Sequence, residues 1–132
     1  MSDIDKKERE TGRTFSPRFD AQGLLTCVTL DHASSDVLMV AHMNAEAVDR
    51  TIQTGVMHYW SRSRQELWKK GETSGQIQTV VELRTDCDQD AIVARVTVGG
   101  DGGACHTGER SCFFRRIITE NGVVKLERDE SA

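Results

Sequence analysis

Residues 92–98 read IVARVTV, with Ile92, Ala94, Val96 and Val98 on one face of an extended chain and Arg95 and Thr97 on the other. Side chains alternate across a strand with period two, so this is a strand half buried in a sheet, blurred only by Val93 on the polar side. Four glycines in the five residues 99–103 then end it in a flexible loop. A half-buried strand needs partners, and the chain supplies them. Residues 24–30 and 37–43 are rich in apolar, β-favouring types and flank turn-forming residues 31–36, which predicts a hairpin. Residues 57–61 and 77–84 read as further strands, and 112–119 and 123–126 flank Asn121-Gly122, a tight hairpin turn. One segment carries helical spacing. Asn44 can cap AEAVDRTIQT, whose Ala47, Val48 and Ile52 form an apolar stripe and which Gly55 ends. The expectation is an α+β fold: a mostly antiparallel sheet of five to seven strands with one clear helix.

A chain of 132 residues is most simply one domain, able to build a core without disulfide staples. The first fourteen residues, MSDIDKKERETGRT, mix both charges with little to bury and are expected to be a disordered tail; residues 15–132 form the single domain. Acidic residues outnumber basic ones, 21 to 17, which argues against nucleic acid as the partner while leaving room for a small phosphorylated ligand. No apolar run approaches membrane-spanning length, and the charged N-terminus lacks the apolar core of a signal peptide, so a cytoplasmic address without membrane partners is expected. In such a reducing compartment the four cysteines are buried, catalytic or metal-bound rather than disulfide-bonded. Cys27, inside the apolar LLTCVTL, reads as core filler.

The chemistry-bearing residues cluster in three places. In DCDQD, taken as the end of a strand, alternation sends Asp86, Asp88 and Asp90 one way and Cys87 the other. Three converging carboxylates suit a hard cation such as magnesium, or else are a solvated acidic turn. Cys87 must find sulfur partners elsewhere, and ACHTGERSC offers Cys105 and Cys112. Three thiolates leave a tetrahedral zinc one ligand short, as in a catalytic centre. A closed structural zinc completed by His106 or Cys27, or a metal-free C-x6-C redox pair, fits the spacing equally well. His106 is a candidate proton shuttle beside a presumed ligand, or a donor that orients the loop. His58 reads as a partly buried structural imidazole, and His32 and His42 carry no signal. The third cluster is SRSRQELWKKGETSG. Its Arg62, Arg64, Lys69 and Lys70, with Thr73, Ser74 and nearby glycines, suit phosphate groups or form a solvated basic face; Trp60 and Trp68 flank it and could cover a base.

HYWSRSR, LWKKGETSGQ, RTDCDQDA and ACHTGERSCFFR, in this order and spacing, resemble the phosphoribosyl-AMP cyclohydrolase family of histidine biosynthesis, over residues 19–115. The resemblance implies an intertwined homodimer that uses zinc and magnesium and hydrolyses the N1–C6 bond of the adenine ring in 1-(5-phosphoribosyl)-AMP. It implies Cys105, Cys112 and a Cys87 supplied across the dimer as zinc ligands, and Asp86, Asp88 and Asp90 as magnesium ligands. His106 is then the candidate for proton transfer, and Arg62, Arg64, Lys70, Thr73 and Ser74 are candidate substrate contacts. Two residues depart from the family pattern: Gln76 stands where a histidine is expected, and His42 where an aromatic is expected. The chain is too short to include the pyrophosphohydrolase domain fused to many relatives, so a monofunctional enzyme is expected. Two rivals from other classes are a zinc-stabilised nucleotide-binding module, with a closed four-ligand zinc, and a thiol redox protein with a reversible Cys105–Cys112 disulfide.

Overall fold

The computed structural model describes residues 4–129. Its elements are α1 (Lys6–Thr11), β1 (Leu25–Asp31), β2 (Val37–Met43), α2 (Ala45–Thr54), β3 (His58–Ser61), β4 (Glu66–Lys69), β5 (Gln78–Thr85), β6 (Ala91–Val98), β7 (Arg115–Glu120) and β8 (Val123–Arg128). Six strands form one sheet in the order β4-β3-β2-β1-β6-β5, and β7 and β8 pair only with each other. All pairs are antiparallel except β1 with β6, where Thr26 lies opposite Ala91 and Asp31 opposite Val96. The architecture is α+β with a mostly antiparallel sheet, as the alternation predicts.

The alternation of β6 becomes burial: Ile92, Ala94 and Val96 enter the core with Leu25, Cys27, Leu38, Met43, Val48, Met57 and Tyr59. Helix α2 covers this face. Asn44 accepts a bond from the N–H of Ala47 at 2.9 Å at its start, and Gly55 ends it at φ 75°, a left-handed conformation that glycine adopts without a Cβ penalty. The buried stripe is Ala47, Val48 and Thr51; Ile52, expected inside, is 54 % exposed. Thr51 takes the inner place because its hydroxyl accepts the His58 N–H at 2.9 Å and so joins the helix to β3.

One polar chain crosses the core. Tyr59 donates its hydroxyl proton to Gln78 Oε1 at 2.6 Å, Thr29 Oγ1 lies 2.7 Å from the same hydroxyl, and Gln78 Nε2 donates to Met39 Sδ at 3.3 Å. Thr29, Tyr59 and Gln78 are sealed from solvent, so these bonds satisfy groups that have no water to turn to.

The structure corrects four expectations. It has two helices, not one, and eight strands rather than five to seven among the described residues. The added strand, β4, lies in the basic segment read as loop; its Tyr59↔Trp68 and Trp60↔Leu67 pairings with β3 supply the apolar contacts that hide in a charged stretch. The last hairpin begins at Arg115, not 112, because Cys112 donates its N–H to Leu38 O at 2.7 Å and is held against β2. Finally, residues 5–14 are ordered where a disordered tail is expected. Asp5 accepts the Glu8 N–H at 2.7 Å and caps α1, and the Gln89 side chain holds the segment to the domain. Residues 1–3 of that tail lie outside the described residues. The expected Asn121-Gly122 turn is present, with φ of 52° and 76°.

Candidate active site

A cleft of about 600 Å³ opens between the segment that follows β3 and the loop after β6. The loop is built on close backbone approach. The Asp101 carboxylate accepts from the Gly103 N–H at 2.9 Å and from Gln76 Nε2 at 2.6 Å, and a Cβ at Gly103 would meet that Gln76 nitrogen at 2.7 Å. Beyond it, Cys105 donates its N–H to Glu109 O at 3.1 Å and accepts from the Gly108 N–H at 3.0 Å, closing a tight turn. Arg110 ties this turn to the β1–β2 connection through Asp36 at 3.1 Å and Ser34 at 3.0 Å. With Cys112 fixed to Leu38, the Cys105 and Cys112 thiols meet in a hydrogen bond.

The two sulfurs differ in character. Burial opposes ionisation of Cys105, but the Thr107 hydroxyl at 3.0 Å, the Thr107 N–H and the Cys112 thiol outweigh it and hold its pKa below the usual value. Cys112 keeps an exposed edge, yet the protein packed around its sulfur, and after that Cys105, push its thiol up to about 11. Of the two thiols, Cys105 is the one whose surroundings favour the thiolate. Lys70 faces them. It is 8 % exposed, its ammonium sits 5.6 Å from the Trp68 ring, and burial lowers its pKa while the charges on Cys112 and Cys105 pull it back.

Arg64, Thr73, Ser74 and His106 line the same cleft. Arg62 does not: it lies with Trp60, Gln22 and Asn44 in a separate cleft of about 450 Å³. His42 pairs with Trp60 across the sheet, and burial, then the charge of Arg62, lowers its pKa. Cys27 is fully buried, with its thiol pushed up to about 12 by that burial, and His58 is buried with Nδ1 3.0 Å from Val56 O; both are structural.

The DCDQD stretch is a turn between β5 and β6 and not a strand end, so strand alternation is not what gathers its carboxylates. The turn itself does. Asp86 Oδ1 accepts the N–H groups of Asp90 at 3.0 Å and Ala91 at 3.2 Å, and Gln89 adopts φ 57°. Carboxylate oxygens of Asp86, Asp88 and Asp90 thereby come within 4.8 Å of one another. Their mutual repulsion is visible in protonation: hydrogen bonding to Asp86 and Asp88, and then their charge, pushes Asp90 up to about 6. Burial works against ionisation of Asp86, but the hydrogen bonds it accepts from Asp90 and Asp88 leave it below the usual range. Exposed Cys87 shares a second cleft with Asp86, Gln89, Arg9 and Arg13.

Cys87 and Cys105 belong to opposite ends of β6. The first precedes Ala91, and the second follows the loop after Val98. The seven steps of about 3.3 Å between the first and last of its eight residues separate those ends by about 23 Å. The chain thus presents two separate clusters: a thiol pair beside a basic cleft, and a thiol beside an acidic turn. Sequence reasoning missed Gln89 and the N-terminal arm. The signal was present in D-x-x-E, a capping pattern at Asp5 and Glu8 inside a stretch that composition alone marks as disordered.

The model of the phosphoribosyl-AMP cyclohydrolase family matches residues 39–114, which include the thiol pair, the acidic turn and the basic cleft. The chain belongs to this family. A phosphoribosyl-AMP cyclohydrolase of Brucella anthropi is 62 % identical over 122 residues, spanning 92 % of this chain and 86 % of the relative. That of Brucella canis is 60 % identical over 92 % of this chain and 88 % of its own length, and that of a Chelativorans species 59 % identical over 89 % and 85 %. Family membership makes the chain a hydrolase of histidine biosynthesis, and the binding module without chemistry falls away as an alternative. Among the described residues no helix is long and apolar enough to cross a membrane.

Proposed function

We propose that the protein opens the adenine ring of 1-(5-phosphoribosyl)-AMP at N1–C6, giving the formimino-AICAR ribonucleotide, in active sites shared by two subunits. The observation that carries this reading is the division of the ligand set: Cys105 and Cys112 stand together, and Cys87 stands at the far end of β6. A homodimer reunites them, with Cys87 of one subunit meeting Cys105 and Cys112 of the other. The hairpin β7–β8 supports association, because its Ile117, Val123, Val124 and Leu126 are all more than half exposed and, among the described residues, its strands pair only with each other. Isolated two-stranded hairpins are marginal in water, so a covering partner is expected.

The sulfurs fit zinc by their chemistry: soft donors, the Cys105 thiol held below its usual pKa, with the Lys70 ammonium nearby to offset the charge of a thiolate set. The Asp86–Asp88–Asp90 turn offers the oxygen donors that suit magnesium. When bound, zinc supplies Lewis acidity for making a nucleophile of water at neutral pH. The protein's own groups do the rest. His106, on the rim of the thiol cleft, takes the proton of the attacking water and returns one to N1. Because N1 carries a ribosyl group, the bond that breaks is N1–C6 and the ring opens, where an unsubstituted adenine would lose ammonia. Arg64, Thr73 and Ser74 line the wall that would hold a phosphate of the substrate, and Trp68 offers a ring face to the base. Arg62, in its separate cleft, is left out of this set.

The test is ultraviolet monitoring of phosphoribosyl-AMP turnover beside metal analysis of wild-type and Cys105→Ala protein. The substitution should abolish both turnover and tight zinc binding; near-normal values of either in the variant overturn the assignment.

A further inference from the structure

The second cleft, about 310 Å³, lies between the N-terminal arm and the turn that carries Asp86 and Cys87. Buried Gln89 builds it. Its Nε2 donates to the carbonyls of Arg9 and Thr14, each at 3.0 Å, and its Oε1 accepts the Ser16 N–H at 2.7 Å. The same residue holds the left-handed position of the acidic turn, so one side chain fixes the arm to the place where the three carboxylates converge.

Within this wall Arg9 is anomalous. Its Nε and Nη2 are shut off from solvent and have no hydrogen-bond partner among the described residues. Those two N–H groups form one edge of the guanidinium, parallel donors matched to two oxygens of one carboxylate or phosphate. Charged donors left dry and unpaired are costly, and no acceptor among the described residues pairs them. Arg13 adds a second cation to the cleft, and Asp86 adds a carboxylate of the cation-binding turn. Magnesium is commonly held by one or two carboxylates together with a substrate phosphate, so guanidinium and acidic turn side by side suit a phosphate monoester bridging both.

We propose that Arg9 binds a phosphate monoester of the substrate through its Nε–Nη2 edge, beside the cation site, and that Gln89 positions it. The inference rests on the proposed reaction, whose substrate carries two phosphates, one on each ribose. The thiol cleft has groups for one of them. The arm of the subunit that contributes Cys87 would supply the site for the other.

Arg9→Gln should raise KM about 10- to 100-fold, the loss of a charged hydrogen-bonded pair, with kcat, zinc content and melting temperature near wild type. Arg9→Lys should fall between, because it keeps the charge without the fork. Gln89→Ala should raise KM similarly, and adding Arg9→Gln to it should change little more. Ribose 5-phosphate, titrated calorimetrically in the presence of magnesium, should bind Arg9→Gln more weakly by a comparable factor. Unchanged KM and unchanged ribose 5-phosphate affinity in Arg9→Gln overturn the proposal. So does a loss confined to kcat or accompanied by a lower melting temperature. If wild-type protein does not turn over phosphoribosyl-AMP, the proposed reaction fails, and the ribose 5-phosphate titration alone decides the role of Arg9.

Discussion

The proposed sharing of active sites makes a quantitative prediction from two inactive proteins. A zinc ion holds sulfur at about 2.3 Å, so its ligands must lie within a few ångströms of one another. Cys87 and Cys105 flank opposite ends of the eight-residue strand β6, about 23 Å over seven steps of about 3.3 Å, so no local adjustment within one chain brings them to one ion. Cys87→Ala and Cys112→Ala homodimers should therefore each be inactive. In a hybrid dimer one site takes both defects, and the other has Cys87 from one chain and Cys105 with Cys112 from the other, all intact. Random exchange at equal concentrations makes half the dimers hybrid with half their sites working, so roughly a quarter of wild-type activity should return under two-fold symmetry. Subunits can be exchanged by co-expression with two affinity tags, the hybrid isolated by tandem purification, and turnover followed by ultraviolet absorbance. Purified hybrid then carries about half of wild-type activity on the same arithmetic. A pure hybrid with no activity refutes the reasoning and places all three thiols of each site on one chain.

The core polar chain predicts that Tyr59→Phe, which strips the hydroxyl joining Thr29 and Gln78, costs about 1–3 kcal/mol in denaturant unfolding; no measurable loss would mean those groups find other partners. His106→Ala should lower kcat by about 10²–10⁴-fold with zinc retained, and loss of zinc alongside would assign the imidazole to holding the loop instead. Asp90 should make divalent-cation binding depend on pH. Its carboxyl is held up at about 6 by its neighbours, so below that value a cation must displace a proton, and above it the site is already ionised. Magnesium affinity measured by calorimetry should fall as pH drops through this range and level off above it, and a flat profile would count against the acidic turn as the site.

Periodicity, β-favouring composition and cap and turn chemistry were enough for the sheet strands β1, β2, β5 and β6, for α2 with its Asn44 and Gly55 limits, and for the Asn121-Gly122 turn. These depend on local chemistry: alternation, capping and left-handed glycine are properties of a few neighbouring residues. Cys105, Cys112, His106 and the three aspartates stood out as candidates by residue type, while their roles followed only from the resemblance to the family. What composition could not reach were the features made by distant contacts. Ile52 lost the inner face of α2 to Thr51 because His58 offers that hydroxyl a backbone N–H. Charged α1 is ordered because Gln89, eighty positions from Arg9, has a buried side chain to spend on it. The aspartates converge through a turn, not through alternation, a difference invisible in DCDQD itself because either geometry brings three carboxylates to one side. The separation of Cys87 from the other thiols by the length of β6 is likewise a fact of topology. Sequence gives the order of residues along the chain, and only folding decides which of them share a place in space.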